Sequence, residues 1–297
     1  MKYAWFAEHH AHAHDGHLPT PLLFASHLAG QTKQIQLGTA IICLNLHDPL
    51  DVAEQVAVAD VLSGGRMAVG FGSGSTPEEA KLFGMPESSE AERHSSFAKS
   101  LRKILHYWDR PDAPQPARMG QTPMPPSRIL PKASEDLPAR CWLAVNSAGA
   151  ARIAGELGFN VLFSHLRTPA QYREYASVYR AASGAGLIAA NRPVFVSRDD
   201  ATAWRLAEPA LRILWRRFQR EGKIAAELPE PSSLEELCAH PLNFIVGGPH
   251  SVARQLKLLH QTAPFDVANV EVRWAGLTHE QVCDSLSGLM EEVVPIL

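Results

Sequence analysis

Neither sign of charge dominates this 297-residue chain: 28 lysines and arginines stand against 31 aspartates and glutamates, a formal net charge of −3 with histidines neutral. Bulk electrostatics therefore points to no nucleic-acid partner and to no membrane surface. Cysteine is scarce. Cys43, Cys141, Cys238 and Cys283 lie far apart and form no C-x-x-C pair, which argues against a disulfide framework and for a reducing compartment. No apolar run approaches the roughly 20 residues that a membrane helix needs. The opening MKYAWFAEHH lacks an apolar stretch followed by a small-residue cleavage site, so a cytoplasmic location is expected. Two nucleotide signatures are also missing. GFGSGS (70–75) is not followed by GK[ST], and its glycines do not fall at G-x-G-x-x-G spacing. Taken alone, those glycines read as a tight exit from a buried strand.

What is present is an alternation of short apolar runs with helical ones. Hydrophobic residues make up 45% of the chain, ample for a sizeable core at this length. KYAWF (2–6), QIQLGTAIICL (34–44), RMAVGFG (66–72), RCWLAV (140–145), FNVLFS (159–164), RPVFVS (192–197) and VANVEVRW (267–274) read as strands. Helical patterns lie between them. DPLDVAEQVAVADVLSGG (48–65) carries an aspartate cap, a proline in the first turn and a glycine stop, and Thr20 is a candidate cap for the helix that follows it. Repeated strand–helix units imply an α/β fold with a parallel sheet. An open doubly wound sheet and a closed barrel both fit. The gathering of polar residues just after strand ends favours the barrel, whose chemistry sits on those loops. Eight of the 22 prolines fall in 109–138, a stretch read as a long excursion from a single domain spanning 1–297.

WFAEHHAHAHDGH (5–17) holds five histidines in thirteen residues. On an extended segment His10, His12 and His14 would share a face, so a divalent metal site is one reading. A polar loop is another. The third is a catalytic Glu8-His9 pair at a strand end, because histidine exchanges protons near neutral pH. That third reading is favoured, with no metal assigned. NSAGAAR (146–152) opens a helix behind a strand, and its free N–H groups and hydroxyl suit an anion. An ordinary helix cap explains it equally well.

WFAEHH (5–10), TKQIQLGTAII (32–42), DPLDVAEQVAVADVLSGGRMAVGFGSG (48–74), WLAVNSAGAARIAGELG (142–158) and EVVPIL (292–297) together resemble the bacterial luciferase-like flavin monooxygenases. The resemblance spans nearly the whole chain. It implies a TIM (β/α)8-type barrel that takes reduced, diffusible FMN from a separate NAD(P)H:flavin reductase. The flavin reacts with O2 to a C4a-peroxyflavin that oxygenates a small organic substrate. By residue, it implies His9 as the proton-transfer residue. Glu8, Gly72, Ser73, Asn146, Ser147, Ala148 and Gly149 would contact the flavin, as would Ala40 and Ile41 through a strand bulge carrying a non-proline cis bond. His10 and His165 would lie near the substrate. A homodimer, or a heterodimer with a homologous chain, is implied through helices near 48–62 and 89–108. Three departures stand out. The AEHH strand starts about one strand–helix unit earlier than in the family, serine stands at 73 where arginine is frequent, and alanine stands at 150 where a hydroxyl is common. The last two imply weaker flavin binding. Two other readings share the barrel: a non-catalytic luciferase-like subunit or flavin-binding protein, and a deazaflavin-dependent oxidoreductase.

Overall fold

The computed structural model describes residues 1–10, 18–74, 77–86, 88–109, 129–220, 222, 224–239 and 241–297. His12, His14 and most of the proline-rich excursion lie outside the described residues. The chain groups into two compact units. The first comprises Met1–Ala144, Arg152–Asn160 and Ala182–Gly186; the second holds Val145–Ala151, Val161–Ala181 and Leu187–Leu297.

In the first unit, β1 (Tyr3–Phe6), β2 (Gln36–Cys43), β3 (Met67–Gly72) and β4 (Cys141–Val145) pair in that order, all parallel. β3 is buried along its whole length, as expected of a parallel strand covered on both faces. Gly38 sits in the middle of β2 because nothing larger fits. A Cβ there would lie 2.3 Å from the Trp5 ring and 2.7 Å from the Ala68 carbonyl oxygen. Trp5 in turn stacks on Tyr3 at 5.2 Å and meets Trp142 edge-on at 5.4 Å, an arrangement that aromatic quadrupoles favour.

The helices follow their end signals. In α2 (Pro49–Ser63), Asp48 Oδ1 accepts from the Leu50 and Asp51 N–H groups at 2.8 and 3.4 Å, and Gly64 takes the left-handed conformation at φ 68°. Thr20 precedes α1 (Pro21–Ala29) but its hydroxyl makes no cap, because its ψ of 74° is not the extended backbone that aims a side chain at the first turn. Arg66, two residues past Gly64, uses its guanidinium to hold two helix exits together. It donates to Ser63 O, Ala29 O, Thr32 O and Ile35 O at 2.8–3.2 Å. A cation at the carbonyl ends of α1 and α2 complements both dipoles. α3 (Pro77–Leu82) and α4 (Glu90–Asp109) follow β3, and Trp108 donates its indole N–H to Ala53 O at 3.1 Å, docking α4 on α2.

In the second unit, β6 (Ile188–Val196) is the organising strand. β5 (Asn160–Phe163) pairs along its start, β8 (Val267–Glu271) along Ala189–Pro193, and β7 (Ile245–Gly247) along Val194–Val196. The proline at 193 makes the sequence pattern begin this strand at 192. The strand in fact starts four residues earlier, and Pro193 stands where its partner changes from β8 to β7, the place where a missing N–H matters least. α6 (Pro169–Ala181), α7 (Asp200–Arg220), α8 (Leu234–Cys238), α9 (Pro249–Thr262) and α10 (His279–Gly288) complete the alternation there, while α5 (Ala148–Glu156) has residues in each unit. α8 went unread in the sequence, although Ser233 and Glu236 form a full capping box at its start. Among the described residues β1 pairs only with β2 and β8 only with β6. No helix among them is long and apolar enough to cross a membrane.

One buried ion pair locks the first unit. Arg140, just before β4, reaches Asp60 Oδ1 at 2.6 Å and Oδ2 at 3.0 Å, and also Met67 O at 2.7 Å. Asp60 is 2% exposed. Arg140→Met therefore leaves a buried carboxylate without its counter-charge, and we expect a loss of about 3–5 kcal/mol in unfolding free energy, read as a lowered urea midpoint. An unchanged midpoint would show that water reaches Asp60.

Candidate active site

Both loops that follow the first two strands deliver side chains to one place. Glu8 and His10 are two residues apart just past β1, where extended backbone puts alternate side chains on one side. His47 follows a short 3₁₀ turn, Leu44–Leu46, that carries the chain from β2 into α2. Glu8 Oε1 lies 2.7 Å from His10 Nε2 and 2.8 Å from His47 Nε2. Its other oxygen accepts the Cys43 N–H at 3.1 Å. The carboxylate is thus saturated by three donors although the residue is only 4% exposed.

This arrangement sets the protonation of the pair. Burial alone would raise the Glu8 carboxyl, but hydrogen bonds from His47 and His10 more than offset it, so its pKa is lowered. The hydrogen bond to Glu8 raises His47, against burial, which lowers it, and the charge of Glu8 adds to the rise. The Cys43 thiol beside them is pushed far up by burial and by the negative charges of Glu8 and Glu79; it is not a nucleophile here. Glu79, on α3, is also buried, and its Oε1 accepts the His10 backbone N–H at 3.0 Å.

Beside this cluster, β2 departs from regular pairing. The Ala40–Ile41 peptide is cis, and the register with β3 shifts between Thr39 and Ile42. Ala40 and Ile41 are half-buried within a strand whose neighbours Thr39 and Ile42 are buried. Gly72, at the end of β3, gives Ile41 its space: a Cβ there would fall 2.6 Å from Ile41 Cδ1. Ser73 O accepts from Asn45 Nδ2 at 3.2 Å, and Asn45 Oδ1 is buried with no partner among the described residues.

The remaining sequence candidates fall as follows. His9 is half-buried, and its backbone N–H donates to Leu18 O at 3.2 Å. The imidazoles on Glu8 Oε1 are those of His10 and His47. Asn146, Ser147, Ala148 and Gly149 belong to the second unit. There Ser147 Oγ accepts the Ala150 N–H at 3.2 Å, and Asn146 O accepts the Tyr175 hydroxyl at 3.3 Å. Ser147 thus acts as the cap of α5. His165 is also in the second unit. Its carbonyl accepts from Asn243, and its ring packs against Phe218 and Phe244, each at 6.3 Å between centroids. The sequence reading missed His47 and Glu79 as site residues. The signal for His47 was its place in HDPL immediately after a strand; Glu79 left none, since one glutamate in a polar helix reads as a solvated face.

The luciferase-like monooxygenase family model matches residues 1–264, and the chain belongs to that family. It is 24% identical to the oxygenase component of the flavin-dependent trigonelline monooxygenase of Acinetobacter baylyi, across 99% of this chain and 85% of that protein. Among solved structures it resembles the monooxygenase RslO1 of Streptomyces bottropensis, with TM-score 0.81 and 20% identity over 99% of this chain and 88% of that one. It also resembles the oxygenating constituent of 3,6-diketocamphane monooxygenase of Pseudomonas putida in complex with FMN, at 0.72 and 20% over 99% and 88%. The coenzyme F420-dependent tetrahydromethanopterin reductase of Methanopyrus kandleri follows at 0.70 and 17%, over 99% and 91%. At these identities the structures establish the fold: the parallel α/β fold of luciferase-like enzymes.

The raised pKa of His47 gives a stability signature with a definite sign. A group whose folded pKa lies above its ordinary value of about 6.5 stabilises fully below that value and loses the effect as pH rises through the folded pKa. The destabilisation caused by His47→Ala should therefore be larger at pH 6 than at pH 9, compared by thermal unfolding of both proteins. An equal difference at the two pH values would show that the Glu8–His47 bond carries no charge.

Proposed function

We propose that this chain is the oxygenase of a two-component system, oxidising a small organic substrate with O2 and reduced FMN supplied by a separate NAD(P)H:flavin reductase. One observation carries the reading: a buried carboxylate on the loop after β1 holds two imidazoles and accepts the N–H of Cys43, two residues beyond the half-buried apolar bulge of β2. The residues fit a flavin. Ala40 and Ile41 offer an apolar surface to a flat ring, Gly72 leaves that surface unobstructed, and the buried Asn45 Oδ1 awaits a donor. The name of the Acinetobacter relative, an oxygenase component, supports a separate reductase.

Bound reduced flavin would supply the electrons that activate O2. The protein's part is to hold the ring, keep water away and manage protons. Glu8 fixes His10 and His47 with their Nε2 atoms turned toward one oxygen, which limits their movement. His9, next to Glu8, is the residue we assign to proton delivery at the reacting centre, and His10 the one nearest the substrate.

His9→Ala should lower product formation by about 100-fold or more while reduced-FMN affinity stays within a few-fold. The check is anaerobic titration with photoreduced FMN, then admission of O2 and assay of both substrate oxidation and free hydrogen peroxide. Product at the wild-type rate would remove His9 from the mechanism. Substrate conversion by reduced F420 without O2, and none with FMN, would instead support the deazaflavin reading, to which the Methanopyrus fold neighbour lends weight.

Association with a second copy is part of the proposal. Val58, Val61 and Leu62 form an exposed apolar stripe on α2, with Val61 and Leu62 more than 60% exposed. Spacing of three and four residues puts them on one face. Val61→Glu combined with Leu62→Lys should convert a dimer to monomer in light scattering; a wild-type monomer would refute this part.

A further inference from the structure

We propose that Glu8, His10 and His47 form a binding site for a first-row divalent cation of the zinc class. Their ligand atoms, Glu8 Oε1, His10 Nε2 and His47 Nε2, all lie within 4.8 Å of one another. This is not the set of alternating histidines that the sequence pattern offered; it shares only His10 with them, and it recruits His47 from a loop 37 residues on.

Two imidazole nitrogens and one carboxylate oxygen suit zinc and its neighbours, and three protein ligands with an open fourth position is the arrangement of exchangeable zinc sites. A tetrahedral shell with bonds of about 2.0–2.2 Å separates its ligand atoms by roughly 3.3 Å. The Glu8–His distances of 2.7 and 2.8 Å must therefore open by about half an ångström each. His47 has the more room to do so, its side chain being 27% exposed; the His10 ring, 12% exposed and edge-on to Phe83, must turn by a similar amount, while Glu8 is held at 2%. Coordination replaces the Nε2 hydrogen of each ring with the metal, each ring then carrying its proton on Nδ1.

The surroundings favour a cation. Glu8 Oε2 is anchored by the Cys43 N–H, and Glu79, a second buried carboxylate, is anchored on the His10 backbone N–H. Oriented ligands supported by a further shell of hydrogen bonds are what a metal site requires. Two buried carboxylates flanking one histidine also place negative potential where a dication would sit. Because the ligands are residues that the proposed oxygenase uses, occupancy by the cation and turnover exclude one another.

The test uses Co2+ as probe on the full chain stripped with chelator, followed by visible absorption. One equivalent should bind saturably with the intense spectrum of a four- or five-coordinate ion, and one equivalent of Zn2+ should abolish it. His47→Ala should weaken binding by about 100-fold or more; His47 is partly exposed, and far-UV circular dichroism confirms that the variant is folded. The triple substitution His12→Ala, His14→Ala, His17→Ala should leave the spectrum unchanged. Absence of saturable binding, binding indifferent to His47→Ala, or loss of binding in the triple variant would each overturn the proposal. These readouts are independent of flavin chemistry, so the cation site and the oxygenase reading stand or fall separately.

Discussion

Everything at the candidate site depends on keeping one carboxylate charged where almost no water reaches it. Glu8 manages this with three donors, two imidazoles and a backbone N–H. An isolated buried carboxylate would take up a proton instead. Donors from outside its own strand come from β2 and the loop beyond it, so the charge of Glu8 and the path of the chain from Cys43 to His47 are one structural fact. The cis bond and register shift at Ala40–Ile41 lie just upstream. The 3₁₀ turn that follows β2 brings His47 onto Glu8.

The framework behind this is built to hold β2 still. Arg66 ties the ends of α1 and α2 to the loop before β2, and Arg140 ties α2 to β3 and β4. Gly38 lets Trp5 lie against β2, which fixes β1 and therefore the point at which Glu8 leaves it. Cost is concentrated at a few buried charges, and each has its partners arranged by backbone geometry rather than by long, flexible side chains alone. Such preorganisation is what a site must have before it can discriminate between protonation states.

The sequence made the strand–helix alternation legible because periodicity and end signals are local. Asp48, Pro49 and Gly64 mark α2 by chemistry that needs no tertiary information. The limits are equally physical. Pro193 disguised the start of β6, since the tolerance of a proline there depends on which strands flank it, not on its neighbours in sequence. The short α8 was hidden because five residues carry no measurable period, though its capping box was present. At the site, Glu8 and His10 were legible as strand-end residues, and the resemblance placed a cis bond at Ala40–Ile41. The partnership of Glu8 with His47 was not, since it joins positions 39 residues apart and depends on a 3₁₀ turn that no motif announces. Glu79 was invisible for the same reason: its burial is a property of where α3 lies.

This changes how the histidine-rich segment is to be understood. Its density of histidines draws attention to the run itself, yet the described member with the best-defined chemistry, His10, works with Glu8 and, through it, with His47 far outside the run. A carboxylate that binds two imidazoles through a single oxygen is poised between two uses. With protons on both nitrogens it is a hydrogen-bonded store of charge, and with a dication in their place it is a chelate. Both states satisfy the buried Glu8, and they differ only in which positive species the site accepts. A protein that relies on the first must limit access to the second. If the proposed cation site exists, His47 is where that selection would be made, because at 27% exposure it has more room to move than His10 or Glu8.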